Sequence, residues 1–246
     1  DEKLRHDPAE NTVIILSQRY EKQNAPEVPS VEHVAALLTK ASELSTSSNQ
    51  QTRLAWSRYS PFFHVLAYSG MRPCEAIGLP WQNVDFDRAT IRVTQDATET
   101  GDIGLPKSAA AYRTIPMPMT AMESLKNWQD DCPAGELGLV FPNWQGGVES
   151  HANITNRGWY CLQKACGLIN DANKPRYPLK SLRHVRASLE IHNGATAKEI
   201  QTLMGHSSVK ITFDVYGHLF RDHEHELAER AELIAKQLSI CGKSVA

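Results

Sequence analysis

The sequence predicts a mainly α protein with a small antiparallel β-sheet set into it, an α+β architecture. Apolar residues recur at helical spacing through most of the 246 residues, and one stretch around residues 84–118 alternates at the two-residue period of strands. Glycines and capping residues stand where those patterns start and stop.

Ser30 is placed to cap a helix that carries Val34, Leu37 and Leu38 on one face. The polar stretch 44–52 reads as a loop. Residues 52–69 form a second helix bearing Leu54, Trp56, Phe62, Phe63, Val65 and Leu66. Pro61 fits a first turn or a kink there, and Gly70 ends the helix. Ile91-Arg-Val93 and Arg113-Thr-Ile115 alternate, with Gly101, Gly104 and Pro106 between them, which gives a sheet of about three strands. Thr120-Ala-Met-Glu123 has the form of a capping box and opens a helix to about Gln129. The remainder is helical over 153–167, 181–193 and 197–204, the last two closed by Gly194 and Gly205. A short helix capped by Ser207 or Ser208 runs to Tyr216, and an amphipathic helix spans 222–238.

Apolar residues make up 41% of the chain, enough for a sizeable core. No apolar run approaches a membrane span, so no membrane partner is expected. The net charge of −2 gives no overall basic footprint, but a local cationic pocket can hold phosphate on such a surface. The five cysteines are odd in number and lack metal-ligand spacing, which reads as reduced thiols. His223-Glu-His225 fits a solvated helix face, so no metal site is expected.

Four segments concentrate chemistry-bearing residues. They are Ser69-Gly-Met-Arg72-Pro-Cys-Glu75, Gly104-Leu-Pro-Lys107, Lys180-Ser-Leu-Arg183-His-Val-Arg-Ala-Ser188, and Gly205-His206-Ser-Ser-Val-Lys-Ile-Thr-Phe-Asp-Val-Tyr216-Gly-His218. Each is ordinary alone: an Arg beside a Glu is usually a surface ion pair, and a Tyr among apolar residues is usually packing. Together and in this order they resemble the signature boxes of the tyrosine recombinases, the phage-integrase type, over residues 30–220. The spacing of ten residues from His206 to Tyr216 is similar to that of phage-type integrases.

The resemblance implies the tyrosine recombinase catalytic-domain fold and a site-specific DNA recombinase that cleaves and rejoins strands through a 3′-phosphotyrosine intermediate. Tyr216 is then the nucleophile. Arg72 and Arg183 neutralise the phosphorane, because guanidinium groups stay charged and fork onto phosphate oxygens. Lys107 is the general acid for the leaving 5′ oxygen, and His206 donates to a non-bridging oxygen. Glu75 supports the pocket from behind, and Arg113 is a possible DNA contact or a partner within the sheet. Lys180 stands where the family has a histidine. It is assigned as a third cation, and the acceptor of the Tyr216 proton is left open. His184 is a rival for that role, although its position suggests a buried, structural residue.

A phosphotyrosine ester conserves bond energy, so no cofactor is implied. The implied partners are double-stranded DNA attachment sites and other copies of the chain in a homotetramer, with a monomer as the alternative for the fragment alone. The implied location is the bacterial cytoplasm, on DNA. Residues 1–29 are expected to be a linker or the remnant of an absent N-terminal DNA-binding domain, 30–221 the catalytic domain, and 222–246 a C-terminal helix and tail that packs on its own domain or on a neighbour. Without the N-terminal domain, weak DNA binding is expected. The leading reading is the integrase of a prophage or genomic island. The alternatives are Xer-like chromosome resolution, type IB topoisomerase-like nicking and closing, and a non-enzymatic DNA-binding module.

Overall fold

A computed structural model describes residues 27–220, apart from Glu99 and Lys107, together with residues 231–238. The expected linker up to residue 26, residues 222–230 of the expected last helix, and the tail from 239 lie outside the described residues.

The Ser30 hydroxyl accepts from the His33 amide and starts α1 (Val31–Ser45), which buries Val34, Leu37, Leu38 and Ala41. The Asn49 side chain caps α2 (Gln50–Ser69) in the same way, so the loop between them is shorter than the polar sequence suggests. Pro61 lies in the interior of α2, not in its first turn. Gly70 ends α2 in the left-handed region, at φ 65°, where a side chain would be strained. Leu54, expected on the apolar face, is exposed instead.

α2 is the axis of the core. Phe62 meets the Phe141 ring edge-on at 5.0 Å, and Phe63 packs 5.4 Å from Trp159. Trp159 ends the π-helical segment Ile154–Trp159, which lies between α5 (His151–Asn153) and α6 (Tyr160–Ala165) in one continuous helical stretch. Gly158 sits where that stretch crosses α2, because a Cβ there would come within 3.0 Å of Phe63.

α3 (Pro73–Ile77) follows directly on Gly70. A three-stranded antiparallel sheet then forms from β1 (Val84–Asp85), β2 (Thr90–Val93) and β5 (Arg113–Pro116). β3 (Asp96–Ala97) and β4 (Ile103–Gly104) make a separate hairpin. Ile91 pairs with Ile115, and Val93 with Arg113. Strand alternation places Arg113 on the same buried face as Ile115.

α4 (Met119–Gln129) begins before the expected capping box. The Pro118 carbonyl receives the amides of Ala121 and Met122, so Thr120 already lies within the first turn. α7 (Ser181–His192), α8 (Ala197–Met204) and α9 (Val209–Tyr216) complete the described domain. Gly194 follows α7 at φ 93°, and Gly205 ends α8 at φ 66°. Residues 231–238 are helical and exposed, Leu233, Ile234 and Leu238 among them. Among the described residues no helix is long and apolar enough to cross a membrane.

Candidate active site

Four chain turns converge on one cleft of about 820 Å³. Arg72 enters from the α2–α3 turn, Lys180, Arg183 and His184 from the start of α7, His206 from the α8–α9 turn, and Tyr216 from the end of α9. The β3–β4 hairpin, at Thr98 and Gly101, and the start of α5, at Ser150 and His151, form the opposite wall. Of the six expected catalytic residues, the structure brings together Arg72, Lys180, Arg183, His206 and Tyr216. Lys107 lies outside the described residues.

A buried ion network supports the cleft from behind. Glu75, 2% exposed, accepts the Arg72 backbone amide at 2.8 Å and the Arg72 guanidinium at 2.8 Å. It also takes both terminal nitrogens of Arg113, at 3.2 and 2.8 Å. Arg113 donates further to the Leu203 carbonyl at 2.8 Å and the Ala111 carbonyl at 3.0 Å. Burial pushes the Glu75 carboxyl upward, but the hydrogen bonds and charge of Arg113, and then Arg72, outweigh it and hold it below the usual carboxylate range. Glu75 thus joins Arg72 and Arg113 behind the cleft. Arg113, expected as a possible DNA contact or a partner within the sheet, is buried against Glu75, its strand turns it inward, and it is absent from the cleft wall. Arg72 differs, since its side chain is 42% exposed and faces the cleft.

Arg183 is the second cation of the cleft. Its guanidinium donates to the Gly70 carbonyl at 2.7 Å and to the Met204 carbonyl, which ties the ends of α2 and α8 to α7. Burial and then the Arg72 charge lower its pKa to about 10, so it stays a cation at neutral pH. Lys180 is exposed at the mouth of the cleft.

His206 is buried, with Nδ1 2.9 Å from the Thr212 hydroxyl and its ring stacked near Tyr216. Burial first, then the charges of Arg183, Arg72 and Arg113, push its pKa down to about 4. It is a neutral imidazole at physiological pH. With Nδ1 accepting from Thr212, Nε2–H is left as a donor.

Tyr216 is 3% exposed and lines the cleft, with its hydroxyl 3.0 Å from Nδ1 of His184. Burial raises the phenol pKa and the nearby Arg183 charge works against it. The His184 imidazole is held below its ordinary pKa by burial, then by Arg183 and Lys180. Sequence reasoning gave Thr212 no role, although it stands at a fixed place between His206 and Tyr216, and it weighed His184 as a rival acceptor of the Tyr216 proton while expecting a buried, structural position for it. Among the described residues no three His, Cys, Asp or Glu side chains gather as a metal cluster.

Residues 31–223 match the profile of the phage integrase family. A XerC-like tyrosine recombinase of Caldanaerobacter subterraneus is 24% identical over 206 residues, covering 72% of this chain and 51% of that protein. The ICEBs1 integrase of Bacillus subtilis is 25% identical over 179 residues, covering 71% of this chain and 48% of that protein. The chain thus spans about half the length of these two relatives. Among solved structures, XerA recombinase superposes with a TM-score of 0.60 at 20% identity, covering 85% of this chain and 65% of that one. The Tn1549 transposon integrase, solved with circular intermediate DNA, gives 0.64 at 20% identity, covering 89% and 70%. The fold is that of the tyrosine recombinase catalytic domain.

Proposed function

The chain belongs to the phage integrase family, and we propose that it breaks and rejoins DNA strands through a covalent bond between Tyr216 and a 3′ phosphate. The observation that carries this reading is the placement of the Tyr216 hydroxyl in the same cleft as Arg72, Arg183 and His206.

The scissile phosphate sits between the two guanidinium groups. Arg72 approaches from the exposed side, and Arg183 is fixed by two carbonyls, so the charge that grows on the non-bridging oxygens meets donors already in place. Neutral His206 donates from Nε2. It needs no proton of its own to transfer, which suits a group whose pKa is about 4. Lys180 supplies a third cation at the cleft mouth. Lys107 protonates the leaving 5′ oxygen, and the hairpin that precedes it in sequence lines the cleft.

The substrate is double-stranded DNA carrying attachment sites, recombined by a homotetramer in the cytoplasm. The particular role is that of an integrase of a prophage or genomic island. The spacing of ten residues between His206 and Tyr216 supports this over chromosome resolution.

The test is a nicked suicide duplex carrying the recombination site. The protein is expected to form an SDS-stable adduct with it and Tyr216→Phe to form none. An adduct that persists in the Phe variant overturns the reading.

A further inference from the structure

We propose that His184 is the catalytic base that takes the proton of Tyr216, the role that Lys180 leaves empty. This inference rests on Tyr216 being the nucleophile. The geometry is direct: Nδ1 of His184 is 3.0 Å from the phenolic oxygen, within the range for proton transfer. The two rings are tilted at 57° with centroids 5.8 Å apart, so the contact runs edge to hydroxyl without stacking.

The groups facing His184 fix its working state. Arg183 and Lys180 lie on its own helix, His206 stands in the α8–α9 turn, Tyr216 on α9, and Arg72 across the cleft. Lys180 is an exposed ammonium group at the cleft mouth, a donor with no acceptor lone pair. His206 already engages Thr212 through Nδ1. His184 remains as a neutral imidazole in hydrogen-bond contact with the reacting oxygen. The Arg183 charge that weakens it as a base is the same charge that a phosphate would neutralise. Seating the substrate therefore strengthens the base, and proton removal is coupled to occupancy of the cleft.

The step balances as follows. The Tyr216 Oη–H bond breaks and the proton passes to the lone pair of Nδ1. The phenolic oxygen forms the bond to phosphorus. The bond from phosphorus to the 5′ oxygen breaks, its electron pair leaves with that oxygen, and the general acid protonates it. On resealing, the 5′ hydroxyl returns its proton to the general acid and its oxygen bonds to phosphorus, the bond from phosphorus to the Tyr216 oxygen breaks, and that oxygen recovers its proton from the imidazolium.

The experiment is single-turnover cleavage of the suicide duplex from pH 5 to 9, comparing the unmodified chain, His184→Asn, Lys180→Gln and Tyr216→Phe. Asparagine keeps an acceptor near the place of Nδ1 but cannot take a proton, so it separates holding from chemistry. His184→Asn is expected to slow cleavage about 100-fold or more, within the usual range for a lost general base, and to convert the profile into a steady rise with hydroxide. Lys180→Gln is expected to keep the acid limb. A duplex with sulfur in place of the bridging 5′ oxygen needs no leaving-group proton, so the His184→Asn defect should persist on it. Rescue by that sulfur would assign His184 to the leaving group and overturn the proposal. So would a near-normal His184→Asn rate, or loss of the acid limb in Lys180→Gln alone. If His184→Asn does not melt like the unmodified chain, the profile of the unmodified chain decides: a rate flat from pH 5 to 8 also overturns it. In each of these cases an inactive Tyr216→Phe leaves the nucleophile reading standing, whereas an active one removes that reading itself.

Discussion

Replacing Glu75 by Gln should cost about 3 kcal/mol of folding stability, the low end of the range for breaking a buried ion pair from one side. The structure gives the reason. Glu75 is the common acceptor of four hydrogen bonds, two from Arg72 and two from Arg113. The side chains of Glu75 and Arg113 are 2% and 4% exposed, so water cannot replace the lost charge. Glutamine keeps the shape but removes the charge and turns a donor toward donors, leaving the Arg113 cation buried and uncompensated. On a domain whose total stability is on the order of 10 kcal/mol, this is a shift of roughly a hundredfold in the folding equilibrium. Urea unfolding followed by tryptophan fluorescence measures it. Arg72→Ala is the contrast: its guanidinium is 42% exposed, so the stability loss should be about 1 kcal/mol or less, while cleavage collapses. A Glu75→Gln loss below 1 kcal/mol, or equal losses in the two variants, would refute the division into a buried brace and an exposed phosphate ligand.

Three further outcomes follow from the same geometry. His206 has a folded pKa of about 4, below the ordinary imidazole value of about 6.5, so as pH falls the unfolded chain takes the proton first. Its contribution to stability is complete above about 6.5 and is lost as pH falls toward 4, amounting to at most about 2 kcal/mol by pH 5. Thermal melting of the unmodified chain at pH 7.5 and 5 should show this loss, and His206→Asn should flatten it. Gly205→Ala should destabilise by about 1–2 kcal/mol, because Gly205 has φ 66° and a Cβ would come within 3.0 Å of the Ala110 carbonyl oxygen. A melting temperature within 2 °C of the parent would contradict it. Arg72→Ala should lower the salt slope of DNA binding by about one, while Arg113→Lys should leave the slope unchanged. Fluorescence anisotropy titrations at several salt concentrations separate the two, and an equal change in both would return Arg113 to the DNA interface.

Much of this was legible in the sequence, and the misses have definite causes. Capping chemistry is local, so Ser30, Gly70, Gly194 and Gly205 mark their helix ends as read. The inward turn of Arg113 was also available, since it stands two residues from Ile115 and a strand puts both on one face. Charge argued for the surface, and the compensating Glu75, 38 residues away, was visible only after folding. The Thr120 box failed because Pro118 already supplies the carbonyl that starts α4. His184 is the instructive case. Lys180, Arg183 and His184 fall at i, i+3 and i+4, so one helix face holds all three. What the sequence could not supply is the packing of α9 across α7, which brings the Tyr216 hydroxyl to that face. The π-helical segment Ile154–Trp159 has no sequence signal that we can name.

The bond between the Tyr216 oxygen and DNA can be detected directly by mass spectrometry. The adduct formed on the suicide duplex can be digested with nuclease and trypsin and weighed. The tryptic peptide 211–221 contains one tyrosine. It should carry the residual nucleotide mass, and fragmentation should place that mass on Tyr216. A nucleotide on any other residue, or an adduct that leaves this peptide unmodified, would contradict the account.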